Sequence, residues 1–337
     1  MSWYDIPEPR IQWLFDGLIT ADGHAAVVGK PKAGKSTFIR NMIAAVIKGR
    51  KFLGRSFDLP ANTGRVLYVH LDRKDQDWRV TRDLKQLGIT QEESDRLIVR
   101  TAEHMKMTDF SERLEWLKKE VTDASPNLVV IDLLWQFVVA KNSNDYNAVL
   151  GGINALQDAL RDCKYKGALV VALHGRKANS QTDQFDDVLG STGQRGSFST
   201  LIMLLHRRKE KVYTISSDQT DRDDLFGEIE ETVISRNVDG TLQLGHTVKE
   251  LEKEQKNNKF ESAIVKLNNF VTEHPGVDVE TLMAELRMSK RYILDVIAAS
   301  TEFLRREGTG KKGDPYKYFP KIAEEPAPQS EPIMATT

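Results

Sequence analysis

The chain has 337 residues, of which 40% are hydrophobic, enough for the cores of two globular domains. Its formal net charge is −1 at pH 7, so any nucleic-acid surface must be local, because the molecule as a whole is not a polycation. The single cysteine excludes an intramolecular disulfide and no apolar stretch is long enough for a membrane span, so we expect a soluble, cytoplasmic protein with no membrane partner.

Residues 1–247 predict one domain in which strands and helices alternate. After a lead-in over 1–24, four apolar runs predict strands, namely 25–28, 66–71, 128–131 and 168–173. Amphipathic patterns between them predict helices over 77–87, 111–122 and 147–163. This alternation is typical of an α/β fold with a mostly parallel sheet covered on both faces. A β-hairpin is expected next, over 201–205 and 211–215, with further short strands up to 247.

The remainder of the chain changes in composition. Residues 248–259 are almost wholly polar and predict a charged linker or an exposed helix. Residues 260–321 predict a second, small domain. Residues 322–337 are proline-containing and without periodicity, so they predict a disordered tail.

The residues after the first apolar run match the phosphate-loop pattern G-x-x-x-x-G-K-[ST]. Its glycines let consecutive backbone N–H groups face one anion, and the following helix adds partial positive charge. Lys35 is expected to reach the β- and γ-phosphates, and the Ser36 hydroxyl to bind Mg²⁺. The alternative is a glycine turn with two solvated lysines. The predicted nucleotide-binding residues are Gly29, Lys30, Pro31, Lys32, Ala33, Gly34, Lys35, Ser36 and Thr37.

A carboxylate follows the apolar run 128–131. Asp132 is therefore expected at the carboxyl edge of the sheet, where ligands bind in open α/β folds. Hydrolysis of a nucleotide needs a second metal-holding group besides the phosphate loop. We expect Asp132 to fill this Walker B role and to hold Mg²⁺ through water. An aspartate that only caps a turn is the alternative.

Two further polar residues follow predicted strands at the same edge. Asp72 would orient the attacking water, although an aspartate reaches about one bond less than a glutamate. The alternative for Asp72 is a surface residue in a charged stretch. His174 would sense the γ-phosphate, or else it is a core histidine.

Arginines near the long polar segment 175–199 are candidates to stabilise charge in a transition state. Long loops at a ligand edge are usually functional or disordered. Arg195, Arg207 and Arg208 compete for this one role, in their own subunit or on a neighbouring subunit's nucleotide. We take Arg207 as the leading candidate.

Residues 260–321 carry an independent signal. Ser289 is a good N-cap for a helix over 290–303, and a short turn separates this helix from the preceding one, which indicates a helix-turn-helix. Residues 305–319 then predict a basic β-wing. The segment 287–321 contains nine Lys/Arg and four Asp/Glu, a local net charge of +5. We expect a winged helix, either for protein docking or for DNA; the predicted DNA-binding residues are Lys290, Arg291, Arg305, Arg306, Lys311 and Lys312.

These motifs together resemble the RecA-like AAA family ATPases of the plasmid RepA type, which are related to hexameric replicative helicases. The similarity covers roughly residues 10–250 and rests on the segments 11–19, 29–37, 129–132, 173–177 and 195–207. The chain departs from the family at two positions. Asp72 stands where the family usually has glutamate, which points to slow hydrolysis or to another catalytic carboxylate. Leu173 stands where a second histidine commonly precedes His174.

The resemblance implies a RecA-like P-loop NTPase core that uses ATP and Mg²⁺. It further implies a hexameric ring with ATP sites between subunits, an arginine supplied in trans, and single-stranded DNA in a central channel. By position, Lys35, Ser36, Asp132 and His174 take the roles given above.

Three functions are compatible with these features. The leading one is an ATP-hydrolysing DNA motor, a hexameric RepA-type helicase whose winged helix contacts DNA. The second is an ATP-dependent DNA-binding switch, or a helicase loader or replication accessory without processive unwinding, which Asp72 favours. A small-molecule kinase is the third, and the C-terminal module argues against it.

Overall fold

The computed structural model describes residues 11–59, 63–71, 77–138, 146–175, 185, 196–208, 210–219 and 227–321. The chain divides into two compact units, of which the first ends at Val248 and the second begins at Lys249. The predicted tail, 322–337, lies outside the described residues. Among the helices of the described ranges, none combines the length and apolar character that a membrane crossing needs.

The first unit alternates strands and helices along the chain. Its strands are β1 (Trp13–Phe15), β2 (Ile19–Thr20), β3 (His24–Gly29), β4 (Val66–His70), β5 (Leu97–Thr101), β6 (Leu128–Asp132), β7 (Ala168–His174), β8 (Thr200–Arg207), β9 (Val212–Gln219), β10 (Thr232–Arg236) and β11 (Leu242–Thr247). Its helices are α1 (Lys35–Lys48), α2 (Asp77–Gln86), α3 (Gln91–Ser94), α4 (Phe110–Ala124), α5 (Leu134–Val138) and α6 (Tyr146–Asp162).

Nine of these strands form one sheet in the order β11-β10-β9-β8-β3-β7-β6-β4-β5. The six strands from β8 to β5 are parallel, and β9, β10 and β11 extend the sheet in antiparallel fashion. The prediction of an α/β core with a mostly parallel sheet is therefore confirmed. The predicted hairpin is also present, as β8 and β9.

Apolar side chains alternate across the sheet and build a core on each face. In β6, Leu128 and Val130 belong to the core that includes α1, whereas Val129 and Ile131 belong to the core that includes α4 and α6. Because both faces are covered, the strands are continuous apolar runs. Because β3, β7, β6 and β4 are parallel, the residues that end these strands lie at one edge of the sheet, where ligands bind in folds of this kind.

The second unit begins within α7 (Val248–Glu273), whose first residue belongs to the first unit. It continues with β12 (Val277–Asp278), α8 (Val279–Leu286), α9 (Lys290–Ala299), β13 (Leu304–Glu307) and β14 (Lys317–Pro320). Residues 248–259, predicted as a linker or an exposed helix, are the first part of α7. The three strands form a small antiparallel sheet in the order β12-β14-β13. The Ser289 side chain accepts a hydrogen bond from the Tyr292 N–H at 3.4 Å, which confirms the predicted N-cap of α9.

Candidate functional site

The predicted phosphate loop connects β3 to α1. Gly34 is the N-cap of α1 and has a φ of 95°, a left-handed conformation that glycine adopts without strain. At Gly29, the last residue of β3, a Cβ atom would lie 2.6 Å from the backbone oxygen of Leu204 on β8, so only glycine fits at this position. The two glycines of the motif therefore meet different requirements, one of conformation and one of close packing.

Lys35 and His174 are brought together at the base of this loop. The Lys35 side chain is only 6% exposed, and its Nζ donates to the backbone oxygens of Gly29 at 2.8 Å and Lys30 at 3.2 Å. His174 pairs with Gly29 in the parallel register, and its Nδ1 lies 3.3 Å from the Lys35 Nζ. The lysine ammonium is thus held within the loop, next to the strand end that carries the histidine.

Asp132 is fully buried at the end of β6. Its Oδ2 accepts a hydrogen bond from the Tyr68 hydroxyl at 3.0 Å and lies 3.7 Å from the His70 Nδ1. Its Oδ1 is buried and has no hydrogen-bond partner among the described residues. The Oδ2 atom is therefore hydrogen-bonded, whereas the Oδ1 atom has no hydrogen-bond partner in the described part of the chain.

Electrostatics keep this carboxylate ionised. Burial alone would raise the pKa of Asp132, but the interactions with His70, Ser36 and Tyr68 outweigh it and lower the pKa below the usual value. Burial, followed by the Asp132 charge, raises the pKa of Tyr68 well above its usual value, so the phenol keeps its proton. An ionised carboxylate oxygen and the Ser36 hydroxyl are hard oxygen ligands, which suit Mg²⁺.

A cavity of about 680 Å³ lies beside the loop. Its lining includes residues 31–38, His70 and His174, together with Tyr213 and Arg236 from the antiparallel end of the sheet. Cavities that bind small molecules and cofactors in proteins are about 300–1,000 Å³. The volume and the polar end formed by the loop fit a bound nucleotide.

The remaining predicted residues of the first unit differ in their placement. Asp72 and Arg195 lie outside the described residues. Arg207 ends β8 and makes a bidentate ion pair with Glu231, with nitrogen–oxygen distances of 2.7 and 2.5 Å. It is not one of the described residues that line the cavity. Its proposed action on a neighbouring subunit remains a prediction, and that action would require exchange of the Glu231 partner.

Several polar residues of the site were not predicted from the sequence, among them Tyr68, His70 and Arg40. His70 ends β4 and pairs in register with Asp132, whereas the apolar pattern predicts a strand that continues to Leu71. Arg40, on α1, lines the cavity and makes an ion pair with Asp83 of α2 at 3.1 Å. The sequence does contain a signal for His70, namely a histidine near the end of an apolar run, since polar residues at strand ends mark the edge of the sheet where ligands bind.

The predicted DNA-binding residues are all exposed on the second unit. Lys290 and Arg291 begin α9, and Lys311 and Lys312 lie in the turn between β13 and β14. The other two, on β13, have aromatic partners on their own hairpin: the Arg305 guanidinium lies 4.7 Å from the Phe319 ring and that of Arg306 lies 4.7 Å from the Tyr316 ring. Arg305 also pairs with Glu307.

A phosphate loop after a parallel strand, beside a buried aspartate and a histidine at neighbouring strand ends, defines a P-loop nucleoside triphosphatase core. Residues 1–180 match the family model of the AAA domain, which covers more than half of the 337 residues. The chain therefore belongs to the AAA domain family and is a P-loop ATPase of that family. No curated protein shows a significant match to it.

Proposed function

We propose that this ATPase is a DNA-acting motor, specifically a hexameric replicative helicase of the RepA type. The observation that carries the proposal is that Lys35 and His174 line one nucleotide-sized cavity together with His70, the register partner of the buried Asp132. The set supplies a phosphate-binding cation, a metal-holding carboxylate and a group beside the γ-phosphate position. Binding alone requires only the first of these, so the full set favours hydrolysis.

Each residue has a distinct role in the proposed reaction. Lys35 binds the β- and γ-phosphate oxygens, and its ammonium moves from the loop carbonyls to the nucleotide. Ser36 and, through water, Asp132 hold Mg²⁺, which neutralises charge on the phosphate oxygens when bound. Asp72 orients the attacking water. His174, next to Lys35, senses the γ-phosphate.

We also propose that the chain is organised as a RecA-like ATPase domain over 1–247, a charged connection over 248–259 and a winged helix over 260–321. The order of elements supports the last assignment, because two helices joined by a short turn precede a two-stranded antiparallel hairpin. The exposed basic residues of α9 and of the turn between β13 and β14 support DNA as its ligand.

The wing assignment is tested by removing charge from the turn. In the full chain, the double variant Lys311→Ala/Lys312→Ala should bind duplex DNA more weakly. The plot of log affinity against log salt should become shallower, by about 0.9 for each phosphate that the variant no longer neutralises. Lys253→Ala/Lys256→Ala, which removes two exposed lysines of α7, is the matched control. An unchanged salt slope in the wing variant would show that the turn does not touch DNA.

The motor itself is tested by ATP hydrolysis with and without single-stranded DNA, beside the variant Asp72→Ala. We expect DNA to stimulate turnover and the variant to lose about 10²-fold or more, as for removal of a group that activates water. The alternative is an ATP-dependent DNA-binding switch or helicase loader, which the aspartate at position 72 favours. Tight ATP binding with negligible turnover in the unaltered protein would support this alternative.

A further inference from the structure

We propose that Tyr68 and His70 are positioning residues that hold Asp132 by one carboxylate oxygen and so reserve the other for the metal. The inference rests on the proposed nucleotide site and deepens it. It concerns two side chains of β4 that belong neither to the phosphate-loop motif nor to the predicted catalytic set. It makes the strength of metal binding depend on a buried tyrosine hydroxyl.

The contacts between the three side chains define the direction of each hydrogen bond. The Tyr68 hydroxyl lies 3.0 Å from the Asp132 Oδ2 and 3.1 Å from the His70 Nδ1. A hydroxyl has one proton to donate, and Tyr68 gives it to the carboxylate. The contact with His70 therefore requires a proton on Nδ1, which the tyrosine oxygen accepts. The three groups form a directed chain from His70 through Tyr68 to Asp132.

The fold keeps this chain of hydrogen bonds in place. Tyr68 and His70 are two residues apart on β4 and thus face the same side of the sheet, and His70 is the register partner of Asp132 on β6. Tyr68 and Asp132 are 0% exposed and His70 is 5% exposed, so water does not compete freely for these bonds. The rotation of the Asp132 carboxylate is consequently fixed through Oδ2.

The fixed rotation has a consequence for the other oxygen. Oδ1 is buried without a hydrogen-bond partner in the described residues, which is costly unless a ligand satisfies it. A water molecule bound to Mg²⁺ is the ligand that the neighbouring Ser36 and the phosphate loop imply. Partners that orient a metal-binding carboxylate typically contribute about 10–100-fold to metal affinity or activity. Tyr68 is placed to make such a contribution.

The test is the variant Tyr68→Phe, which removes one hydroxyl and keeps the ring. Mn²⁺ would replace Mg²⁺, and its binding to the protein–ADP complex would be measured by electron paramagnetic resonance. We expect Mn²⁺ to bind about tenfold more weakly, while ADP binds equally well without metal. The Mg²⁺ concentration for half-maximal ATP turnover should rise in parallel.

Tyr165→Phe is the matched control, since the Tyr165 hydroxyl also donates one hydrogen bond, to the Ala168 backbone oxygen at 2.9 Å. Tyr165→Phe removes a comparable hydrogen bond at the first residue of β7, whereas the site lies at the last residue, His174. Mn²⁺ binding should therefore be unchanged.

The role of the histidine is tested by a pair of variants. His70→Asn keeps a donor near the Nδ1 position, whereas His70→Leu removes it. We expect Asn to retain most of the Mn²⁺ affinity and Leu to lose it.

The outcomes separate this inference from the function on which it rests. Equal Mn²⁺ affinity in Tyr68→Phe and Tyr165→Phe would overturn the inference and leave the nucleotide site intact. Equal losses in His70→Asn and His70→Leu would overturn the part assigned to histidine. An unaltered protein that binds neither ADP nor Mn²⁺ would instead overturn the proposed function itself.

Discussion

Replacing Lys35 by alanine should abolish ATP turnover, with a fall in kcat of about 10²–10³-fold or more. Losing a single preorganised donor to developing charge has a cost of this order. The Lys35 side chain is buried in the loop, so no other cation of the loop occupies its place. The measurement is steady-state phosphate release by the full chain at saturating ATP. Binding of duplex DNA, which we assign to the winged helix proposed over 260–321, should be unaffected.

Two further variants keep this expectation falsifiable. Lys35→Met retains the aliphatic stem and removes only the charge, so it separates catalysis from packing at this buried position. Lys119→Ala removes an exposed lysine of α4, which packs on the face of the sheet opposite to α1, and it should leave turnover unchanged. Full turnover in Lys35→Met would refute the assignment of the phosphate loop as the catalytic nucleotide site.

The elements that local sequence determines were predicted well. The loop between β3 and α1 follows from a motif whose residue types have separate physical reasons. The helices predicted over 77–87, 111–122 and 147–163 are present as α2, α4 and α6, with ends that differ by one or two residues. Amphipathic periodicity extends over several turns, so single substitutions in the pattern do not obscure it.

Features that depend on pairing between distant residues were not accessible in the same way. The strand β5 joins the edge of the sheet by pairing with β4, and its apolar run is only three residues long, Leu97 to Val99. Likewise, the contact of Tyr68 and His70 with Asp132 depends on the parallel register of β4 and β6. A single sequence does not specify that register, because the intervening segment has more than fifty residues.

The second large effect is expected for Asp132→Asn, which preserves the shape of the side chain and removes its charge. An amide has a single acceptor oxygen, and the Tyr68 hydroxyl would still donate to it. The amide nitrogen would then take the place of Oδ1 and present N–H donors where the metal-bound water needs an acceptor. We expect Mg²⁺-dependent turnover to fall by about 10²–10³-fold, while nucleotide binding without metal is retained.

Stability should fall far less than activity in this variant, and this difference distinguishes the metal role from a structural one. The lowered pKa of Asp132 means that the folded protein favours the charged carboxylate, so the neutral amide should lower the melting temperature by a few degrees and leave the protein folded at the assay temperature. Asp158→Asn, at a 63% exposed side chain of α6, is the control with neither effect. If Asp132→Asn unfolded the protein, or turned over ATP at the normal rate, Asp132 would be a structural aspartate. Loss of turnover in a protein that remains folded at the assay temperature identifies it as the carboxylate that holds the metal.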